Sequence, residues 1–279
     1  MRIATWNVNS IRARAQRVVD FLERADVDVL AMQEIKCRPE QFPREPFERA
    51  GYELEVHGLD QWNGVAFASR LGIRDARIGF DGMPGYANTP PEDGPLPLEA
   101  RALAVTVEDL RLWSLYVPNG RELAHAHYDY KLRWLRALLE DTRAWMAANP
   151  GAPIALMGDF NIAPLDGDVW DMAAFEGATH VSGPEREAFE AFLSAGLVDV
   201  VRERGVEGYT YWDYKAGRFP KDEGMRIDFV LGSSAFDELV ADASIERAER
   251  GGDAPSDHVP VLVELEVSTA LDDDRPMIF

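Results

Sequence analysis

Two stretches of this chain share one design. Ile3-Ala-Thr-Trp-Asn7-Val-Asn9 and Ile154-Ala-Leu-Met-Gly-Asp159-Phe-Asn161 are short apolar runs that end in two polar residues two apart. Each run reads as a buried strand. In an extended backbone, residues two apart point the same way, so Asp159 and Asn161 face one spot. Pro164 then stops the second run. A turn is the plainer explanation of the same letters, because Asp and Asn are ordinary turn residues. Two further runs carry one acid each, Glu34 after Val29-Leu-Ala-Met-Gln33 and Asp228 in Met225-Arg-Ile-Asp-Phe-Val-Leu231. Two similar halves facing each other would bring all four ends to one rim, where ligands of α/β proteins commonly bind.

The remaining periodicity fits such a pair of halves. Residues 64–68, 102–107, 110–117 and 259–267 also read as strands, with Val107-Glu-Asp-Leu110 as a hairpin turn. Residues 12–24, 128–146 and 185–194 carry apolar residues at helical spacing. Strands outnumber helices and several are joined by short turns. The expected fold is therefore α/β, with two mixed β-sheets packed face to face and helices outside. No linker divides the chain, so residues 1–267 are expected to form one domain. Residues 81–97, rich in Gly and Pro, read as a long surface loop, and 268–279 as an acidic C-terminal tail.

Composition limits the setting. One cysteine, Cys37, allows no internal disulfide and fits a reducing compartment. No signal peptide, anchor or membrane-length apolar run is evident, so a soluble cytoplasmic protein is expected. The 29 Lys+Arg against 49 Asp+Glu give a net charge of −20, which by itself argues against a nucleic-acid partner. A local positive face remains compatible with it.

The polar residues at strand ends carry the chemistry. Glu34 suits a hard cation such as Mg²⁺, or is a surface acid opening a loop. Asp228 inside an apolar strand needs a partner, an arginine or, more tellingly, a histidine whose tautomer it would fix. Of five histidines, only His258 directly follows an acid, Asp257, and enters a core strand. Tyr116 and Asn119 end another strand and can donate to phosphate oxygens, or form a plain Pro-Asn-Gly turn. Taken together, Asn7, Glu34, Tyr116, Asn119, Asp159, Asn161, Asp228, Asp257 and His258 suit metal-assisted phosphodiester hydrolysis. The barrier to that reaction must fall by ~20 kcal/mol, which no single residue supplies.

At these residues the sequence resembles the exonuclease III family of apurinic/apyrimidinic endonucleases, within the endonuclease/exonuclease/phosphatase superfamily. The resemblance rests on Trp6-Asn-Val-Asn-Ser-Ile11, Met32-Gln-Glu-Ile-Lys36, Tyr116-Val-Pro-Asn119 and Gly158-Asp-Phe-Asn-Ile-Ala-Pro164. It continues through Tyr211-Trp-Asp-Tyr214, Met225-Arg-Ile-Asp-Phe229 and Ser256-Asp-His-Val-Pro260, and spans about residues 1–267. It implies a four-layer, DNase I-like sandwich. It implies Mg²⁺, or Mn²⁺, near Glu34 with Asn7 and Asp257. Asp159 would activate the attacking water, Asn161 would hold that water or a phosphoryl oxygen, and His258, oriented by Asp228, would face the phosphate that Tyr116 and Asn119 contact. Tyr211, Trp212 and Met225 would wall a small pocket for a flipped-out sugar lacking its base.

The implied activity is DNA repair: Mg²⁺-dependent cleavage 5′ to abasic sites in duplex DNA, with 3′→5′ exonuclease and 3′-end trimming. The acidic composition departs from the family's basic DNA face. Arg12, Arg14, Arg17, Lys131, Arg133, Arg136, Lys215, Arg218 and Lys221 are the expected positive stripe. Two other functions compete: a superfamily phosphatase or diesterase on a small or lipid phosphate, and a non-catalytic DNA-binding relative. The Trp212 loop speaks against the first and the intact polar set against the second. A monomer is expected. The tail Asp272-Asp-Asp-Arg-Pro-Met-Ile-Phe279 is similar to the acidic, aromatic-ended tails of bacterial single-stranded DNA-binding proteins, which implies docking on a repair partner. A tail without a partner is the alternative.

Overall fold

The computed structural model describes residues 1–267; the tail and its docking segment lie outside the described residues. The first half contains β1 (Arg2–Asn7), α1 (Ile11–Arg24), β2 (Val29–Gln33), α2 (Arg44–Arg49), β3 (Glu53–His57), β4 (Val65–Ser69), β5 (Arg74–Ile78), β6 (Ala102–Val107) and β7 (Leu110–Tyr116). The second half adds α3 (Ala126–Ala148), β8 (Ile154–Asp159), α4 (Gly183–Ser194), β9 (Leu197–Asp199), α5 (Val200–Glu203), β10 (Asp228–Ser233), α6 (Ser234–Asp237), β11 (Val240–Ile245) and β12 (Val261–Leu265). No described helix is long and apolar enough to cross a membrane.

Two six-stranded mixed sheets result, in the orders β11-β12-β1-β2-β4-β3 and β5-β6-β7-β8-β10-β9. Each holds one parallel pair, β1 with β2 and β7 with β8, at its centre. The four central strands β1, β2, β7 and β8 are almost wholly buried, which explains their continuous apolar lettering. Three apolar cores separate four layers. One lies between the sheets, around Ile3, Ala31, Leu112 and Met157. The second lies between the first sheet and α1, whose Val18, Phe21 and Leu22 face inward at helical spacing. The third lies between the second sheet and α3 and α4. The expected sandwich is therefore present.

The connections set the rim. Both parallel pairs end at the same edge of the sandwich, with Asn7 beside Gln33 and Tyr116 beside Asp159. β10 runs antiparallel to β8 and starts there, placing Asp228 beside Asp159. At Gly158, φ is +144° and a Cβ would lie 2.0 Å from the Leu115 carbonyl oxygen, so only glycine lets β8 approach β7 just before Asp159. Phe160 points away from the rim into the outer core, 5.8 Å from Phe189 and 5.9 Å from Phe229. Burying such a ring contributes about 1.5–3 kcal/mol. It anchors the strand end from behind, and Phe160→Ala would loosen both polar neighbours.

Candidate active site

Asn7, delivered by β1, bridges the two sheets. Its Nδ2 donates to Glu34 Oε1 at 2.8 Å and to Asp159 Oδ2 at 3.0 Å. Glu34 sits just past β2 with φ +52°, a left-handed turn that swings its carboxylate over the rim. Burial pushes that carboxyl upward, but Lys36, whose Nζ lies 2.7 Å from Oε2, and Asn7 outweigh it and hold the group below its usual range. Lys36 also donates to Asn9 Oδ1. Asn9 in turn donates to Asp257 Oδ1 at 2.9 Å.

Asp159 and Asn161 do converge, though not by strand alternation. β8 ends at Asp159, and Asn161 adopts φ +51°. The Asn161 backbone N–H donates to Asp159 Oδ1 at 2.9 Å, closing a turn over the carboxylate. The Asn161 side chain donates to the Val117 carbonyl, and Asn119 Nδ2 donates to Asn161 Oδ1 at 3.2 Å. The turn and the shared direction are thus the same feature. Burial pushes Asp159 up to about 7; His258 opposes the rise while Asp228 and Glu34 add to it.

His258 lies between two acids. Its Nδ1 is 2.8 Å from Asp228 Oδ2 and its Nε2 is 3.7 Å from Asp159 Oδ2. Burial depresses the imidazole, but Asp228 and Asp159 overcome this and raise it to about 10, so the ring is charged at neutral pH. The phenol of Tyr116 is pushed well upward by burial and by Glu34, and so stays a neutral O–H donor.

Together these groups line a cavity of about 180 Å³, with Glu34, Tyr116, Asn119, Asp159, Asn161, Asp257 and His258 in its wall. Asn7 and Asp228 stand behind it as partners of Glu34 and His258. One ligand atom each from Glu34, Asp159 and His258 lie within 4.8 Å of one another. The carboxylate oxygens of Glu34 and Asp159 fit a hard divalent cation. His258 can offer only Nε2 to this cluster, since Nδ1 is bonded to Asp228; while the ring is charged, Nε2 carries a proton and donates instead. Asp257 faces the same cavity but is hydrogen-bonded to Asn9.

Three expected assignments change. Lys131 is fully buried on α3, paired with Glu185 and donating to the Asn161 carbonyl at 2.6 Å, so it is unavailable to DNA. Trp212 is buried facing away from the cavity, 5.2 Å from the Phe219 ring, with Nε1 donating to Asp222. The cause is alternation: Tyr211 pairs with Met225 on one side and His258 on the other, so in this extended segment its neighbour must point the opposite way. The apolar wall is Tyr211, Met225 and Ile227, with Tyr211 4.8 Å from the His258 ring. The expected positive stripe also thins. Arg14 and Arg17 fasten residues 249–255 and Arg218 pairs with Glu223, whereas Arg12, Arg133, Arg136, Lys215 and Lys221 remain exposed.

Two residues of the cavity wall escaped the sequence reading. Ile227 hid in a core run, although it stands two from Met225. His180 lies in a loop, far from any strand, yet its Nε2 is 3.1 Å from Asn161 Oδ1 and 3.2 Å from Asn119 Nδ2. Burial and the Lys131 charge press this imidazole down to about 3, so it is neutral.

This fold and this cluster define a known class. Residues 4–258 match the model of the Endonuclease/Exonuclease/phosphatase family, and the chain belongs to it. The exodeoxyribonuclease of Bacillus subtilis is 30% identical over 94% of this chain and 98% of its own length. The structure of the 3′ phosphatase NExo from Neisseria, bound to a product DNA hairpin, superposes with a TM-score of 0.86 at 34% identity, covering 96% of this chain and all of that one. An AP endonuclease from Archaeoglobus fulgidus gives 0.85 at 30% identity, with the same coverage. Within the superfamily the chain therefore stands in the exonuclease III/AP endonuclease family.

Proposed function

We propose that the chain is a Mg²⁺-dependent DNA repair nuclease that cuts the backbone 5′ to abasic sites and trims blocked 3′ ends. The observation that carries this reading is the pairing of a phosphate-sized polar cluster with a small apolar wall. Asp159, His258, Tyr116 and Asn119 face one cavity, and Tyr211, Met225 and Ile227 close its side. A sugar without its base fits against that wall, and a normal nucleotide is too large. The family relatives named for acting on DNA support the polymer substrate over a small or lipid phosphate.

The residues divide the work as follows. Asp159, fixed at the strand end by the Asn161 N–H and facing the cavity, orients water in line with the phosphorus and accepts its proton. His258, charged and aimed by Asp228, donates from Nε2 to a phosphoryl oxygen whose charge grows in the transition state. Tyr116 and Asn119 add neutral donors, and Asn161 is held beside them by its turn. A divalent cation at the Glu34 and Asp159 oxygens would supply charge neutralisation at the phosphate.

A second activity at the same site, removal of a 3′ phosphate, is favoured by the likeness to the Neisseria 3′ phosphatase. The test uses purified protein with Mg²⁺ on three duplexes, one abasic, one ending in a 3′ phosphate and one undamaged, beside an Asp159→Asn control. Cutting of the damaged substrates, abolished in the control, is expected. No incision of the abasic duplex refutes the endonuclease reading, and full-rate cutting by the control refutes the role of Asp159.

A further inference from the structure

The rim does not end at the catalytic cavity. In face-to-face order it runs from β12 and β10 (His258, Asp228), through β1 and β8 (Asn7, Asp159), to β2 and β7 (Glu34, Tyr116). The next position along it is formed by β4 and β6. Both run antiparallel to their neighbours, with Val65 opposite Gln33 and Ala102 opposite Leu115, so both begin at the rim. The segments entering them, residues 59–64 and 97–101, therefore extend the same groove, on the side away from the Tyr211–Met225–Ile227 wall.

A cavity of about 470 Å³ opens there, lined among others by Trp62, Tyr86, Arg121, Asn88, Arg101 and His127. Its wall is built. Tyr86 stacks on Tyr130 at 5.0 Å and meets His127 edge-on at 4.7 Å. Arg121 lies 5.8 Å over the Tyr86 ring and donates to Asn88 Oδ1 at 2.7 Å, two residues from Asn119. Arg101 is buried against Glu99 and lies 4.7 Å over the Tyr116 ring, joining this cavity to the catalytic one. Trp62 is the exception to an apolar interior: it is 64% exposed, and the Asp60 carboxylate accepts from its backbone N–H at 2.7 Å.

We propose that this cavity binds an unpaired nucleobase of the substrate strand, with its phosphate on Arg121. The inference rests on the nuclease reading above and adds a place for the strand beyond the cut. Two strand spacings separate Asp159 from β6, about 10 Å, which is roughly one or two nucleotides along a chain held at the scissile phosphate. An exposed aromatic face, here Trp62, beside a fixed cation forms a stacking platform for single-stranded nucleic acid. A paired base has already spent its faces inside the duplex. The site therefore favours substrates whose strand is frayed, mismatched or single-stranded next to the cut.

Binding is measured by fluorescence anisotropy, without divalent cation, for the wild type, Trp62→Ala, Trp62→Phe and Arg121→Ala. Two abasic hairpins are used, one fully paired and one with two unpaired nucleotides on each side of the abasic site, carrying 2-aminopurine among them. Trp62→Ala is expected to weaken the unpaired hairpin about 10-fold or more and the paired one less than about twofold, with 2-aminopurine quenching lost and Trp62→Phe restoring both. Arg121→Ala is expected to weaken the unpaired hairpin and reduce its salt slope by about one. Equal binding by Trp62→Ala and wild type, or equal losses on both hairpins, overturns the proposal. Incision by wild type with Mg²⁺ is run in parallel: no cutting of any DNA overturns the nuclease reading, whereas normal cutting with no Trp62 effect overturns this inference alone.

Discussion

Asp228→Asn removes the charge nearest His258 while keeping the side chain's shape. The Asp228–His258 contact is 2.8 Å and both groups are buried. Burial disfavours the charged ring, yet the surrounding carboxylates lift it from an ordinary 6.5 to about 10. At about 1.4 kcal/mol per pH unit, that favours the imidazolium by up to about 5 kcal/mol. Asp228 supplies the larger share, being nearer than Asp159 at 3.7 Å. A raised value in the folded state means that this stabilisation is complete below about 6.5 and fades as pH climbs to about 10. In Asp228→Asn the ring keeps a hydrogen-bond partner but loses that charge, so its titration falls back toward neutrality. kcat/KM on a damaged duplex should then lose its alkaline limb near 10 and acquire one two or more pH units lower. A ring that titrates again at its ordinary 6.5 is about 1% charged at pH 8.5, so the rate there should drop by up to about 100-fold. Urea midpoints of the metal-free wild type should fall between pH 7 and 10, and those of the variant should change much less. An alkaline limb at the same pH in both proteins would refute the argument that Asp228 keeps His258 charged.

Lys131→Met strands Glu185 in the core and should cost about 3–5 kcal/mol in urea unfolding, while Lys131→Met with Glu185→Leu should recover most of it. The salt dependence of DNA binding should be unchanged in the double variant, because Lys131 is buried. Glu34→Gln removes a charged oxygen from the cation cluster. The rise in thermal midpoint that added Mg²⁺ gives the wild type by mass action should shrink in this variant. Met225→Ala opens the apolar wall, and the preference for abasic over undamaged duplex should fall about 10-fold in paired incision assays, the scale set by a few methylenes in a pocket.

Burial decided how much of the fold could be read from sequence. The eight strands expected from apolar runs include all eight interior strands. The four unread strands, β3, β5, β9 and β11, are the four sheet edges. An edge strand faces solvent along one side and carries charges that blunt further pairing, as Arg74-Asp-Ala-Arg-Ile78 does, so it lacks the apolar signature. The site followed the same logic. Polar residues at the ends of buried strands stood out by their number, although each alone could be a turn, and the structure brings them to one rim. Period-two alternation was the missed step at Trp212. Applied to Tyr211-Trp212 and to Met225-Arg226-Ile227, it separates pocket wall from core without any coordinates. No local pattern could reveal His180 or bury Lys131, since both depend on how α3, α4 and a long loop close over the strand ends.

A net charge of −20 conflicts with a DNA substrate only if affinity comes from a blanket of cations. Many arginines here are already committed. Arg77 pairs with Asp141, Arg101 with Glu99, Arg204 with Asp237 and Arg226 with Asp199. The donors that face the proposed phosphate site, beside the acids Glu34, Asp159 and Asp257, include the Tyr116 hydroxyl, the Asn119 amide and a single imidazolium, His258. Fixed donors in a buried rim act at low dielectric and need no reorganisation, so a few of them outweigh several solvated lysines at that one point. They also release few counterions, which makes binding at the rim less sensitive to salt than binding by a basic face. The acidic body meanwhile repels the rest of the duplex. On the nuclease reading, acidity and activity are therefore compatible: the surface lowers background binding everywhere, and only a strand that can place a phosphate inside the rim recovers the loss.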